Sequence, residues 1–151
     1  QVGLGLTEIG SDTEYQRYEL ALNNYLSLTE KAVLASRIAT EYVSGDVPFF
    51  LYPAYGSNSD LRGYETGSYR DRYLFTAQVE LRYRVTPRNG VVGFAGIGGV
   101  ADDFGQIDTT LPSVGVGYRF VIAPKNDLSM RVDVAWGRGD QEFYVGLGEA
   151  F

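Results

Sequence analysis

The stretch Tyr73–Val85, YLFTAQVELRYRV, decides the fold class of this chain. Apolar and polar side chains alternate along it with a period of two, which predicts a β-strand with two unlike faces. In a soluble β-sandwich or lipocalin-like barrel the apolar face would pack on a second layer, whereas in a membrane barrel it would face lipid. A membrane-spanning strand needs about 9–11 residues, and this stretch is long enough.

The same alternation recurs along the chain and predicts eight strands. They fall at about residues 2–9, 17–28, 32–44, 73–85, 91–101, 113–122, 128–136 and 142–151. An even number of strands places both termini on one side of the sheet. No linker or change in composition divides the sequence. We therefore predict an all-β fold, an antiparallel up-and-down transmembrane β-barrel of eight strands, formed by residues 1–151 as a single domain.

The connections between the predicted strands differ in length at the two ends of the sheet. Short turns at Thr29-Glu30, Pro87–Gly90 and Pro124–Asp127 would lie on the side of the termini. The opposite side has longer connections, of which residues 46–70 form the longest. Outer-membrane barrels have this asymmetry, so the sequence predicts one long extracellular loop over residues 46–70.

The composition narrows the classes of function. The 151 residues include no Cys and no His, which excludes disulfide frameworks, imidazole bases and the usual zinc sites. A net charge of −6 argues against a nucleic-acid partner. No window approaches the ~18 apolar residues of a membrane helix, while 12 Tyr, 8 Phe and 19 Gly suit a membrane barrel. We expect no enzyme activity, no cofactor and no metal site.

Three other motifs indicate a function only weakly. Gly93–Gly99 is rich in glycine, but it lies in a predicted strand with no helix after it, unlike a nucleotide loop. Asp102, Asp103 and Asp108 are candidate calcium ligands, although acidic loops are usually just solvated. Arg138–Asp140 is typical of a hairpin tip, for which an adhesive role is an alternative.

The polar faces of the predicted strands carry charges of both signs. An unpaired charge taken out of water costs several kcal/mol, so we expect cross-strand ion pairs inside the barrel. The last strand places Glu149 on the apolar face with Phe151. A charge facing lipid at the membrane midplane would cost ~2–4 kcal/mol, so Glu149 is expected near the membrane interface.

Two separate motifs resemble a known family. Leu61-Arg62-Gly63-Tyr64, followed by Gly67–Arg72 and a strongly alternating strand, resembles the C-terminal barrel region of the BamA/TamA outer-membrane superfamily, or bacterial surface antigen family. The ending over Leu128–Phe151 agrees, and the resemblance covers at least residues 48–151. An alternating last strand with a terminal aromatic resembles the signal by which barrels reach their assembly machinery. The residues of that signal are Tyr144, Gly146, Leu147 and Phe151.

The resemblance implies a role for Arg62. In that family the barrel has sixteen strands, of which this chain would match the last eight, and the Arg-Gly-aromatic loop folds back into the lumen, where its arginine contacts the wall. The family's wall motif carries an aspartate where this chain has glycine, in the stretch Phe94–Gly98. Arg62 is therefore expected to bind another acid, with Glu41, Glu80 and Asp133 as candidates.

The resemblance also implies a minimal barrel of the bacterial outer membrane, with a pore or a role in protein assembly or translocation. Because the sequence starts at Gln1 directly on strand-like residues, we expect a mature chain whose signal peptide has been removed. Membrane lipid and the barrel assembly machinery are the expected partners. The POTRA repeats of the family are absent from this sequence, so the alternative is a structural or adhesive barrel that has lost insertase activity. For closure we favour an independent eight-stranded barrel, with a homodimeric sixteen-stranded pore second and the C-terminal half of a longer translocase third.

Overall fold

A computed structural model of the chain contains one antiparallel sheet. It describes residues 2–8, 15–55, 61–102, 109–123 and 128–151. The strands are β1 (Val2–Glu8), β2 (Tyr15–Ser27), β3 (Ala32–Gly45), β4 (Tyr73–Arg84), β5 (Asn89–Ala101), β6 (Thr109–Ala123), β7 (Leu128–Trp136) and β8 (Gln141–Leu147). A single 3₁₀ turn, Phe49–Leu51, lies between β3 and β4. Within the described ranges no helix is long and apolar enough to cross a membrane.

The strands pair in chain order from β1 to β8, each antiparallel to the next. The all-β, up-and-down topology predicted from the sequence is therefore confirmed. The favoured closure of eight strands on themselves is not seen, because the pairings of the described strands run only from β1–β2 to β7–β8. β1 and β8 are thus the two edge strands of an open sheet.

The two faces of the sheet differ in character, and the apolar one is exposed. Val116 is 56% exposed and Phe143 is 63% exposed, and Leu22, Ile38, Val79 and Leu81 are exposed as well. Polar residues of β4 and β7 are instead buried, among them Thr76, Gln78, Glu80 and Asp133. Soluble proteins have the opposite arrangement, with apolar side chains inside. We call the buried side of the sheet the polar face.

Several strand ends differ from the prediction. β5 begins at Asn89 and β6 at Thr109, because backbone pairing continues beyond the alternating stretch. The last strand ends at Leu147 rather than at Phe151. Gly148 then adopts a positive φ of 80° and its N–H donates to the Ser129 carbonyl.

This early end of β8 corrects the placement of Glu149 and Phe151. Neither residue continues the apolar face. Glu149 instead forms an ion pair with Arg119 at 2.8 Å, and the Phe151 carbonyl accepts a hydrogen bond from Arg82. The positive φ at Gly148 breaks the alternation on which the prediction depended.

Hydroxyl groups hold the two short turns that the structure describes at the end of the sheet near Leu147. The Thr29 hydroxyl accepts from the amides of Lys31 and Ala32, and the Thr86 hydroxyl accepts from the amide of Asn89. Such side-chain bonds satisfy backbone donors that a tight turn leaves open. The predicted turn at residues 124–127 lies outside the described residues.

Candidate functional site

The long segment between β3 and β4, residues 46–72, is called here the anchor loop. Its motif residues Leu61, Arg62 and Tyr64 are each 1% exposed. They lie on the polar face of the sheet, so the loop that the sequence predicts to be extracellular covers the face that would otherwise be open. Backbone bonds brace its described parts, including Tyr55 N–H to the Tyr69 carbonyl and Gly67 N–H to the Tyr55 carbonyl.

Arg62 binds two carboxylates from two different strands. Its Nη2 donates to Glu80 of β4 at 2.6 Å, and its Nη1 donates to Asp133 of β7 at 2.9 Å. Both carboxylates are fully buried. A buried charge is stable only when a group of opposite charge is hydrogen-bonded to it. Here one guanidinium links β4 and β7, which are three strands apart in the sheet.

The wall motif of β5 contacts Arg62 through a ring rather than an acid. The guanidinium carbon of Arg62 lies 3.4 Å from the centre of the Phe94 ring, which is a close cation–π contact. The glycines that follow make room for the loop. A Cβ at Gly96 would lie 2.9 Å from Leu61, and one at Gly98 would overlap the Tyr55 ring. The glycine found in place of the family's aspartate therefore accommodates the loop, while Asp133 of β7 supplies an acid.

The backbone of the motif is fixed by side chains of the wall. Gly63 N–H donates to the Tyr144 hydroxyl at 2.9 Å, and the Ser113 hydroxyl donates to the Arg62 carbonyl. Gly63 has a φ of 103°, a region that glycine adopts without strain. Tyr144, predicted as part of the C-terminal signal, thus holds the anchor loop to the edge strand β8.

Two tyrosines of the anchor loop, Tyr55 and Tyr64, form hydrogen bonds on the other side of the motif. The Tyr64 hydroxyl donates to the Pro112 carbonyl and accepts from the Arg138 amide at 3.1 Å. The Tyr55 hydroxyl accepts from the Gly99 amide at 2.8 Å. The rings of Tyr64 and Tyr69 meet edge to face. Burial raises the pKa of Tyr64 above its ordinary value, so the phenol remains a neutral donor.

A second pair of arginines shares the same acids, and the sequence did not reveal their role. Arg119 of β6 donates to Asp133, and Arg82 of β4 donates to Glu80 at 2.7 Å. Both also approach Glu149, at 2.8 Å and 3.7 Å. The predicted cross-strand ion pairs are therefore present. The sequence did not predict that the tail after β8, residues 148–151, would join these ion pairs. The one indication of it in the sequence is Gly148, which stands directly before the acid Glu149.

The remaining predicted residues lie apart from Arg62. Glu41 does not contact Arg62; it accepts from Arg17 of the neighbouring strand at 2.6 Å. The register explains this, since Glu41 is level with Leu74, whereas Glu80 lies six residues further along β4. Leu147 is 66% exposed on the apolar face, and Gly146 lies beneath Arg131 on the polar face.

The geometry just described is an arginine of a loop that folds onto the polar face of the sheet, where two acids of the strands bind it. A family model described as the Omp85 superfamily domain matches residues 1–151. The chain belongs to the Omp85 superfamily. This agrees with the resemblance to the BamA/TamA barrel region, and the match spans all eight strands of the sheet. No curated protein matches this Omp85 chain.

The site offers the chemistry of an anchor, in which buried carboxylates bind arginine. Within the described residues no cluster of three or more Asp, Glu, His or Cys side chains could hold a metal ion. Glu80 and Asp133 are both occupied by arginines. What the arrangement can do is fix the anchor loop to the wall, and through Tyr144 to an edge strand.

Proposed function

We propose that this Omp85 chain forms the wall of a bacterial outer-membrane β-barrel. The observation that carries the proposal is the inversion of the sheet, whose apolar side chains are exposed while Glu80 and Asp133 are buried. Lipid would cover the exposed side and the anchor loop occupies the other, as in membrane barrels with polar interiors. Membrane lipid and, during biogenesis, the barrel assembly machinery are the partners of this proposal.

Within that barrel, we propose a role in moving or assembling polypeptides, with the anchor loop as the part that controls the interior. The loop is attached by one arginine to two strands and by Gly63 to Tyr144 of β8. A loop bound to a wall by localised side-chain bonds can adopt two discrete arrangements, one bound and one released. Release of the loop would open the interior and loosen the edge strand together.

The position of the anchor loop helps to decide whether the eight strands close alone or form part of a wider barrel. The interior of an eight-stranded barrel is just wide enough for side chains. Here backbone itself lies against the wall, since a Cβ at Gly63 would stand 2.8 Å from the Trp136 carbonyl carbon. This favours a wider barrel, completed by a second copy of the chain or by further strands, over closure of eight strands alone.

Conductance across planar bilayers tests the transport proposal. The purified protein is compared with Arg62→Ala and with a control, Arg88→Ala, which changes an exposed turn residue. We expect a defined conductance in the wild type and the control, and a conductance changed by at least about twofold in Arg62→Ala because the loop leaves the wall. If none of the three conducts, or if all three behave alike, the transport proposal fails.

A structural or adhesive barrel is the second candidate. The density of bonds that hold the anchor loop also suits a permanent plug, and the Arg138–Asp140 tip is a weak adhesive signal. Under this alternative Arg62→Ala would lower the stability of the protein without changing any conductance. The same comparison therefore separates the two functions.

A further inference from the structure

Arg131 of β7 brings a positive charge to the polar face that the neighbouring side chains do not balance. Its Nε and Nη1 atoms are buried and form no hydrogen bond within the part of the chain that the structure describes. An arginine stays charged at any physiological pH, and a buried donor without an acceptor is costly. Arg131 is therefore a candidate for binding an acceptor that the chain itself does not provide.

The carboxylates near Arg131 are already bound by other arginines. In the ion-pair cluster around Arg62, the described residues contribute three acids and three arginines that bind them, namely Glu80, Asp133 and Glu149 with Arg62, Arg82 and Arg119. Their charges balance one another. Arg131 adds one positive charge in excess, which a single monovalent anion would neutralise.

The carboxylate of the adjacent strand is too far away to serve Arg131. Glu142 of β8 is level with Ala135, whereas Arg131 is level with Gly146. Four residues along a strand correspond to about 13 Å. Glu142 therefore leaves the charge of Arg131 unbalanced.

A cavity of about 340 Å³ reaches the residues next to Arg131 from the end of the sheet that has the short turns. Its lining includes Ser129, two residues before Arg131 on the same face of β7, and Arg119, which is level with Arg131 on β6. The charged side chains of the lining are Lys31, Arg82, Arg84, Arg119, Glu30 and Glu149. A cleft lined by four basic and two acidic groups raises the local concentration of anions.

We propose that Arg131, at the inner end of this basic cavity, binds a small inorganic anion of the class of chloride. A guanidinium binds an anion through charge-assisted hydrogen bonds, and burial strengthens the attraction. One surplus charge fits a monovalent ion rather than a polyanion. The inference rests on the proposed function in one respect, because it takes the polar face to line the interior of a barrel, where the bound anion favours the passage of anions over cations.

The width of the chloride NMR signal tests binding without any need for conductance, because chloride that exchanges with a protein site gives a broader signal than free chloride. The purified protein in a neutral detergent is compared with Arg131→Gln and with Arg138→Gln, which removes an exposed arginine of the same hairpin. We expect the wild type and Arg138→Gln to broaden the signal equally, and Arg131→Gln to lose at least about half of the excess width.

A second measurement covers the case in which Arg131→Gln does not fold, which the gel mobility of the unheated protein reveals. An anion that binds the folded state stabilises it, so the melting temperature of the wild type should be higher in chloride than in gluconate at equal ionic strength. Arg131→Lys, which keeps the charge but not the guanidinium, should show a smaller rise. No excess width in the wild type, equal widths in all variants, or a melting temperature that does not respond to chloride would overturn the proposal.

Conductance separates this inference from the proposed function. In planar bilayers, Arg131→Gln should lower the ratio of chloride to potassium permeability by at least about twofold. A conducting protein that does not broaden the chloride signal would overturn the anion site and leave the proposed function intact. A broadened signal from a protein that does not conduct would support the anion site, while the transport proposal fails.

Discussion

Gly63 of the anchor loop lies directly against the backbone of Trp136 at the end of β7. A Cβ at Gly63 would stand 2.8 Å from the Trp136 carbonyl carbon and 2.9 Å from the Gly137 nitrogen. The loop therefore rests on the wall itself, with no side chain between the two backbones. With the loop in this position, Arg62 reaches Asp133, and Gly63 N–H donates to the Tyr144 hydroxyl.

Gly63→Ala should release the loop, because the new methyl group overlaps backbone and the residue has a positive φ. Gly139→Ala is a matched control, since Gly139 also has a positive φ but nothing lies within 4 Å of its Cβ position. The control should lose about 1 kcal/mol from strain alone. We expect Gly63→Ala to lose clearly more in urea unfolding in detergent. Equal losses would mean that the close contact contributes nothing.

Arg62→Ala should destabilise the protein by about 3–5 kcal/mol, because it leaves buried carboxylates short of a partner. A double-mutant cycle with Asp133→Asn apportions this loss between the partners of Arg62. We expect a coupling energy of at least about 1 kcal/mol between the two positions. Arg88→Ala, on an exposed turn, should stay within about 0.5 kcal/mol of the wild type. Additive effects of Arg62 and Asp133 would contradict the observed pair.

Glu149→Gln should loosen the tail that follows β8, because Arg119 loses one of its three carboxylate partners, Glu80, Asp133 and Glu149. Glu149 is partly exposed, so a modest loss of about 1 kcal/mol is expected. Combined with Arg119→Gln the losses should not add, whereas Glu30→Gln on the exposed turn should cost nothing measurable. Thermal unfolding of the four variants checks this. A fully additive double variant would show that the tail is not held by this pair.

The sequence predicted the strands because alternation is a local property. It located β7 at Leu128–Trp136 and proposed Glu80 and Asp133 among the partners of Arg62. It could not choose between them and Glu41, since that choice depends on the register of β3 and β4. Register is a property of two paired strands, and the sequence of one strand alone specifies it only weakly.

The errors at the C-terminus have a different physical origin. The alternating pattern extends past Leu147 and therefore predicts that Glu149 and Phe151 lie on the apolar face. The positive φ of Gly148 and the hydrogen bond of its amide to Ser129 end the strand instead. Two arginines distant in sequence, Arg82 and Arg119, then attract the tail to the polar face. The alternation of neighbouring residues along β8 gives no indication of these long-range contacts.

The stability of the folded protein should depend on pH through Tyr64. Burial raises its pKa in the folded state, so its contribution is fully present below the unfolded pKa of about 10 and is lost as the pH rises through the folded pKa. We expect the melting temperature to fall above pH 10, and to fall less steeply in Tyr64→Phe. Parallel curves for the two proteins would exclude Tyr64 as a source of this dependence.

Crosslinking of the two edge strands should report how the sheet closes. With cysteines at Val2 and Val145, a sheet closed on itself forms a disulfide within one chain, whereas a barrel of two copies forms disulfides between chains. Because the anchor loop places backbone against the wall of the eight strands that the structure describes, we expect crosslinks between chains. Non-reducing gels of the protein in detergent distinguish crosslinks within one chain from crosslinks between chains. A mixture of the single variants Val2→Cys and Val145→Cys should likewise give a disulfide-linked dimer. Crosslinks confined to single chains would show that eight strands can close around the loop, and would overturn the wider barrel.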